Sequence, residues 1–118
     1  MQNSFQEELK NLADEYAHSV YSVTKKFPKD EQFGITSQLR RSSLSVPLNI
    51  IEGYARNRKN VFRNFLEIAF GSLKESLYLI DFSEKEGLIL KEESVEIVNK
   101  GSRLSAMIWG IIQKIKQD

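Results

Sequence analysis

Between Gly34 and Leu66 this 118-residue chain carries six basic side chains, Arg40, Arg41, Arg56, Arg58, Lys59 and Arg63, against one acidic, Glu52. The whole chain stands at +1, so this stretch holds a surplus of five and the remainder a deficit of four. Charge segregated in this way steers an anionic partner even when the total is near zero. Arg56, Arg58, Lys59 and Arg63 bracket a loop and the beginning of a helix. A helix N-terminus adds positive partial charge of its own, so the chemistry that suits these residues is phosphate binding. Arg40, earlier on the same helix as Arg56, joins them as a candidate contact to RNA or DNA. Such binding would rest on backbone phosphates and weaken with salt. Tyr54 and Phe62 flank the cluster and could stack on bases, although Phe62 also fits a core position. A solvated basic turn with no partner accounts for the same residues equally well.

A second constellation is polar. With about 100° per residue, Gln38, Arg41, Ser42, Ser45, Asn49, Glu52 and Arg56 fall in one band of a helix. Leu39, Ser43, Val46, Ile50 and Gly53 form an edge on one side of it, and Leu44, Leu48, Ile51 and Ala55 an edge on the other. Gln38, Arg41, Ser45, Asn49 and Glu52 are read first as a network buried between helices or subunits, with Glu52 neutralising Arg41 or Arg56. A satisfied network of this kind fixes helix register, which suits a specific oligomer. The other reading is a groove for a ligand or nucleic acid.

Catalysis finds little footing, and the chain is read as a non-enzyme. Glu52 has no second acid at a helical spacing with which to share acid–base work. His18 and Asp14 are an i, i+4 pair on a surface helix. Gly71-Ser72 and Gly101-Ser102 sit inside helices as close-packing points, and no P-loop, dinucleotide fingerprint or serine-nucleophile motif is present. There is no cysteine and only one histidine, which excludes disulfides and thiolate metal sites and leaves no His-rich metal constellation. No cofactor or metal is expected. No apolar run is long enough to span a membrane, and the polar N-terminus is unlike a signal peptide, so a cytoplasmic protein without membrane contact is expected.

Four helices must position these residues. Phe5, Leu9, Leu12, Tyr16, Val20, Val23 and Phe27 alternate by fours and threes, an amphipathic stripe that should end before Pro28. A polar turn follows, with a short helical piece ending at Gly34. The second helix is expected from Ser37 to about Arg56, capped by Thr36 and kinked at Pro47. Asn57 to Asn60 form a loop with Asn60 as the next cap. The third helix carries Phe62, Phe65 or Leu66, Ala69, Leu73, Leu77 and Ile80, with a second stripe of Val61, Ile68, Leu79 and Phe82. Gly87 is placed just beyond its C-terminus. The fourth starts near Lys91, with Glu92, Glu93 and Glu96 at its positive end, and runs through Ile97, Gly101, Leu104, Ile108, Ile111 and Ile115. The expected fold is all-α, an antiparallel up-down-up-down four-helix bundle forming a single domain over residues 1–118. The third and fourth helices are apolar over more than one stripe, and self-association would cover the excess.

Several runs in this sequence resemble one family. Phe27-Pro28, Phe33-Gly34-Ile35-Thr36-Ser37-Gln38-Leu39-Arg40-Arg41-Ser42-Ser43, Ser45-Val46-Pro47 and Asn49-Ile50-Ile51-Glu52-Gly53 look like the signature of the 23S rRNA intervening-sequence proteins, also called the four helix bundle protein family. The run from Phe65 to Glu75, Phe-Leu-Glu-Ile-Ala-Phe-Gly-Ser-Leu-Lys-Glu, resembles that family's third helix. The resemblance covers roughly residues 8 to 115, with two motifs in the right order. It implies a bacterial cytoplasmic four-helix bundle assembled as a homopentameric ring. It also implies kinship with proteins encoded within 23S rRNA genes. Accessory factors of diversity-generating retroelements are related too, and in them a basic pentameric barrel engages nucleic acid and a reverse transcriptase. Which protein partner this chain would take is not given by the residues.

Overall fold

Helix-forming periodicity dominates the chain from end to end, and a computed structural model, which describes residues 4–117, is built accordingly. Met1 to Asn3 and Asp118, parts of the polar N-terminal segment and of the 1–118 domain span, lie outside the described residues. Helix α1 spans Ser4–Thr24, α2 Ile35–Arg56, α3 Lys59–Lys85 and α4 Lys91–Gln117, with one 3-10 turn at Lys29–Glu31 between α1 and α2. Among the described residues there is no strand.

Each helix buries most of a stripe its sequence spacing defines, although Phe5 of the α1 stripe and Ile68 and Phe82 of the second α3 stripe are exposed. Leu9, Leu12, Tyr16, Val20 and Val23 of α1 are buried, as are Leu39, Val46 and Ile50 of α2. Leu66, Ala69, Leu73 and Ile80 of α3 meet Ile97, Leu104, Ile108 and Ile112 of α4 in the same contiguous core. Each fully buried Leu or Ile contributes about 1.5–3 kcal/mol relative to exposure. α1 packs on α2 and α4, and α3 packs on α2 and α4, so the four form a closed square. Residue numbers rise along one helix as they fall along its neighbour. Ser45 meets Ser72 and Gly53 meets Phe62 across α2 and α3. Phe70 meets Trp109 and Leu77 meets Gly101 across α3 and α4. Glu8 pairs with Arg103 and Lys26 with Glu93 across α1 and α4. Through the middle, the hydroxyls of Tyr16 and Ser76 share a buried hydrogen bond of 2.7 Å along the α1–α3 diagonal.

The helix ends divide into two kinds. α3 stops in a Schellman arrangement: Gly87, at φ +78, donates to Glu84 O at 3.0 Å while Leu88 donates to Ser83 O at 2.8 Å. α4 starts where the Glu93 carboxylate accepts from the Leu90 N–H at 3.2 Å, three residues back. Lys26, bonded to the same carboxylate, holds Glu93 below the usual carboxylate range. The starts of α2 and α3 differ from expectation. Thr36 is not a cap; it lies in the first turn of α2, buried, and its Oγ1 has no hydrogen-bond partner. Gly34 precedes the helix, and its carbonyl accepts from the Gln38 N–H at 3.1 Å. Asn60 likewise lies inside α3, whose cap position is held by the extended residue Arg58 without a side-chain bond. α2 continues through Pro47 as one helical element.

Of the two glycine pairs, Gly101 is a close-packing point and Gly71 is not. A Cβ on Gly101 would come within 2.6 Å of Leu77 Cδ2 and 3.0 Å of Tyr16 Cε1, whereas one on Gly71 would meet nothing within 4 Å. No helix among the described residues is long and apolar enough to cross a membrane.

Candidate nucleic-acid interface

Two residues turn the chain from α2 into α3. Asn57 adopts the left-handed conformation, φ 56, which asparagine tolerates better than most side chains, and Arg58 is extended. So tight a reversal needs the two helices to approach closely at once. Gly53 permits it, because a Cβ there would come within 2.8 Å of Phe62 Cδ1 and 3.1 Å of Phe65 Cβ. The result is a corner where Tyr54 and Phe62 stack, ring centroids 4.7 Å apart and planes at 27°. Burial pushes the Tyr54 hydroxyl up to about 12.

An open depression of about 540 Å³ surrounds this pair. Its lining brings Lys10 of α1 beside Arg58 and Lys59, with Gln6, Tyr54 and Phe62 completing the wall. Arg58 and Lys59 are exposed. α3 begins at this same corner, and its cap residue Arg58 contributes no side-chain acceptor to the first-turn N–H groups. The arrangement offers positive charge to an oxyanion and an aromatic face beside it.

The other candidate cations are differently placed. Arg56 accepts its charge partner from its own helix: its Nε donates to Glu52 Oε2 at 2.8 Å, with its guanidinium 5.4 Å from the Phe65 ring centroid. Both partners are half exposed, so the pair contributes little to stability and leaves the arginine within reach of a stronger anion. Arg63 is half buried, and its Nε is buried without a hydrogen-bond partner. Arg40 does not join the corner. It lies sixteen residues before Arg56, about 24 Å along α2, where its Nε donates to Thr24 Oγ1 at 2.9 Å and its guanidinium sits 4.7 Å from the Tyr21 ring centroid.

The polar band of α2 opens on a groove between α2 and α3 within this chain. Gln38 and Arg41 are exposed, and Glu52 is exposed and tied to Arg56. Ser45 shares a 2.9 Å hydrogen bond with Ser72 of α3, and Asn49 Nδ2 donates to Ser45 O and Oγ at 2.8 and 2.9 Å. The groove holds about 410 Å³ and is edged by Leu44 and Leu48. The serines that do enter the core side, Ser42 and Ser43, bond to carbonyls of their own helix. Of the two apolar edges, the one through Leu39, Val46 and Ile50 is buried, while Leu44, Leu48 and Ile51 are 40%, 56% and 50% exposed.

Sequence reasoning missed Lys10, the bond of Ser72 to Ser45 and the Tyr16–Ser76 pair. Lys10 follows the buried Leu9, and only the reversal of chain direction between α1 and α2 brings it to the α2–α3 corner. Ser72 falls on the α2-facing side of α3, one residue before buried Leu73, a signal that helical phasing could have used. Among the described residues no group of three or more His, Cys, Asp or Glu side chains could hold a metal ion.

Comparison with known proteins agrees with this architecture. A crystal structure of a protein with unknown function from the S23 ribosomal protein family of Bacteroides thetaiotaomicron superposes with a TM-score of 0.85 at 23% identity. The match covers 92% of this chain and 98% of that one, a likeness of fold. No curated protein matches the chain. The family model described as 23S rRNA-intervening sequence protein matches residues 6–110. A match over that much of its length shows that the chain belongs to the 23S rRNA-intervening sequence protein family.

Proposed function

We propose that this chain is a non-enzymatic bundle protein that assembles with copies of itself and binds the phosphates of RNA or DNA where α2 passes into α3. The observation that carries this reading is the corner depression, in which Lys10, Arg58 and Lys59 surround the stacked Tyr54 and Phe62. Cations and the N-terminal N–H groups of α3 suit a phosphate, and the ring pair suits a base. Arg56, paired with Glu52, and half-buried Arg63 stand on the helical turns to either side in sequence. The exposed Leu44, Leu48 and Ile51 edge supports self-assembly, since α2 presents more apolar surface than one bundle uses. The family resemblance implies five copies in a ring and a bacterial cytoplasmic setting.

Labelled single-stranded RNA and DNA, titrated at two salt concentrations and followed by anisotropy, test the binding. The affinity of the wild-type chain should fall as salt rises. Arg58→Ala with Lys59→Ala should bind more weakly and lower the log–log salt slope by roughly 1.4, two phosphate contacts to a single strand. No binding at low salt overturns the reading.

A second reading has its own support in the same α2 edge, which would equally receive a different protein. Retention of one protein partner after nuclease treatment, and by the Arg58→Ala, Lys59→Ala variant, would favour that role and make the basic corner incidental.

A further inference from the structure

We propose that the α3–α4 face beside the basic corner is a stacking track for single-stranded nucleic acid, with Trp109 as its platform; this rests on the nucleic-acid reading above. Trp109 is 48% exposed, an unusual position for a large apolar ring on a packed helix. Its ring lies 5.3 Å from that of Phe70, inclined by 37°. The Lys74 ammonium sits 5.2 Å from the Phe70 ring centroid. Small side chains, Ser102, Ser105 and Ala106, keep the surroundings low, so these rings and Lys74 line a shallow depression of about 430 Å³.

The track continues from the corner by helical spacing. Arg63 stands seven residues before Phe70, Lys74 four after it and Tyr78 four after that, all on one edge of α3. Lys116 stands seven residues after Trp109 on the corresponding edge of α4. From Arg63 to Tyr78 the edge is about 22 Å long at 1.5 Å per residue. Tyr78 is 65% exposed, and the buried Arg63 Nε has no hydrogen-bond partner. Cation, ring, cation and ring therefore follow one another along the surface.

That alternation selects the occupant. A single strand presents charged phosphates and open base faces in succession, and stacking on aromatic rings is indifferent to base identity. A duplex keeps its base faces inside and offers nothing to Trp109. Glu67, exposed on the same α3 edge between Arg63 and Phe70, opposes a polyanion and gives the idea a signed test.

The chain has one tryptophan, so its emission reports on this face alone. Oligouridylate, oligoadenylate and a duplex of equal length are titrated at low salt, reading anisotropy of the labelled strand and tryptophan emission together. Single strands should quench Trp109 in step with the anisotropy rise, and the duplex should not. Trp109→Ala should weaken single-strand binding roughly tenfold, as the loss of one stacked base does, leave duplex binding unchanged, and be partly rescued by Trp109→Phe. Glu67→Gln should bind single strands more tightly. If Trp109→Ala proves misfolded by circular dichroism, Tyr78→Ala and Lys74→Ala carry the comparison, each expected to weaken single strands selectively. Anisotropy that rises with unchanged tryptophan emission overturns the track and leaves the corner reading standing. No anisotropy change at low salt overturns the corner reading itself. Emission that shifts with protein concentration alone, without nucleic acid, makes this face a contact between copies and overturns the track as well.

Discussion

Gly53 and Gly71 are both glycines inside helices, and they make opposite demands. At Gly53 α2 and α3 approach closely, with Phe62 and Phe65 standing where a methyl group would go. Gly53→Ala should therefore lower stability by about 1–3 kcal/mol, the cost of overpacking. Gly71 is exposed and faces open space, so Gly71→Ala should raise stability by about 0.5–1 kcal/mol through helix propensity. Thermal unfolding followed by circular dichroism checks both, and shifts of the same sign would contradict the packing. The helical wheel places Gly53 on one of the two apolar edges of α2 without saying which is buried, and small size alone makes Gly71 look like a packing point. Phase along one helix fixes direction, not the distance to the next. The buried hydroxyl of Tyr16 gives another residue-level expectation. Burial pushes it up to about 12 against an ordinary 10, the Ser76 bond offsetting part of the rise. The unfolded chain would lose this proton first, so the stability it contributes is intact below pH 10 and is lost as pH rises toward 12. Tyr54, half exposed, acts in the same direction and more weakly. Denaturant midpoints should hold level to pH 9.5 and then fall, with Tyr16→Phe showing a shallower decline; equal declines would remove the buried hydroxyl from the account.

α2 is the element on which sequence and structure inform each other most. Its two apolar edges and the polar band between them were legible from spacing alone. Which edge turns outward was not, because Leu44, Leu48 and Ile51 are as apolar as Leu39, Val46 and Ile50. The choice follows from small residues: Ser43 and Gly53 share the inner edge, where backbones must approach. Leu48→Lys with Ile51→Lys tests the outer edge. The pair should change unfolding free energy by no more than about 1 kcal/mol, as surface substitutions do, yet reduce the mass seen by light scattering toward that of one chain. A wild-type chain that is already a monomer at micromolar concentration would sink self-assembly. The helix ends show where local rules suffice. Gly87 was placed correctly because a left-handed residue is needed there, and the acids beginning α4 include the one that bonds back to Leu90. Thr36 and Asn60 were misplaced because their helices begin two residues earlier than those caps imply, at Ile35 and Lys59. Backbone geometry at Gly34 and Arg58 starts those helices, and no side-chain preference signals it.

At the scale of the whole molecule, four helices span 45 × 25 × 22 Å. Their number and faces were readable because a period of 3.6 persists through each segment. The candidate site was only half readable. Arg58 and Lys59 are adjacent in sequence, so their sharing of one depression needs no tertiary knowledge, whereas Arg56 and Arg63 do not line it. Lys10 enters from α1, and Arg40 leaves for Tyr21, for reasons set by the neighbours of each helix. Charge alone could not separate a cation that faces solvent from one laid over a ring.

The hydrogen bond between Tyr16 and Ser76 acts on states that the protein does not adopt. Apolar stripes of four amphipathic helices are interchangeable to a degree: α1 displaced by one turn against α3 would still bury leucines against leucines. That displacement would leave the Tyr16 hydroxyl in the core without a partner, at about 1–3 kcal/mol, while Ser76 would keep its 2.9 Å bond to Leu73 O. The aligned bundle gives Tyr16 the Ser76 oxygen. This hydrogen bond across the α1–α3 diagonal thus widens the energy gap to slipped packings.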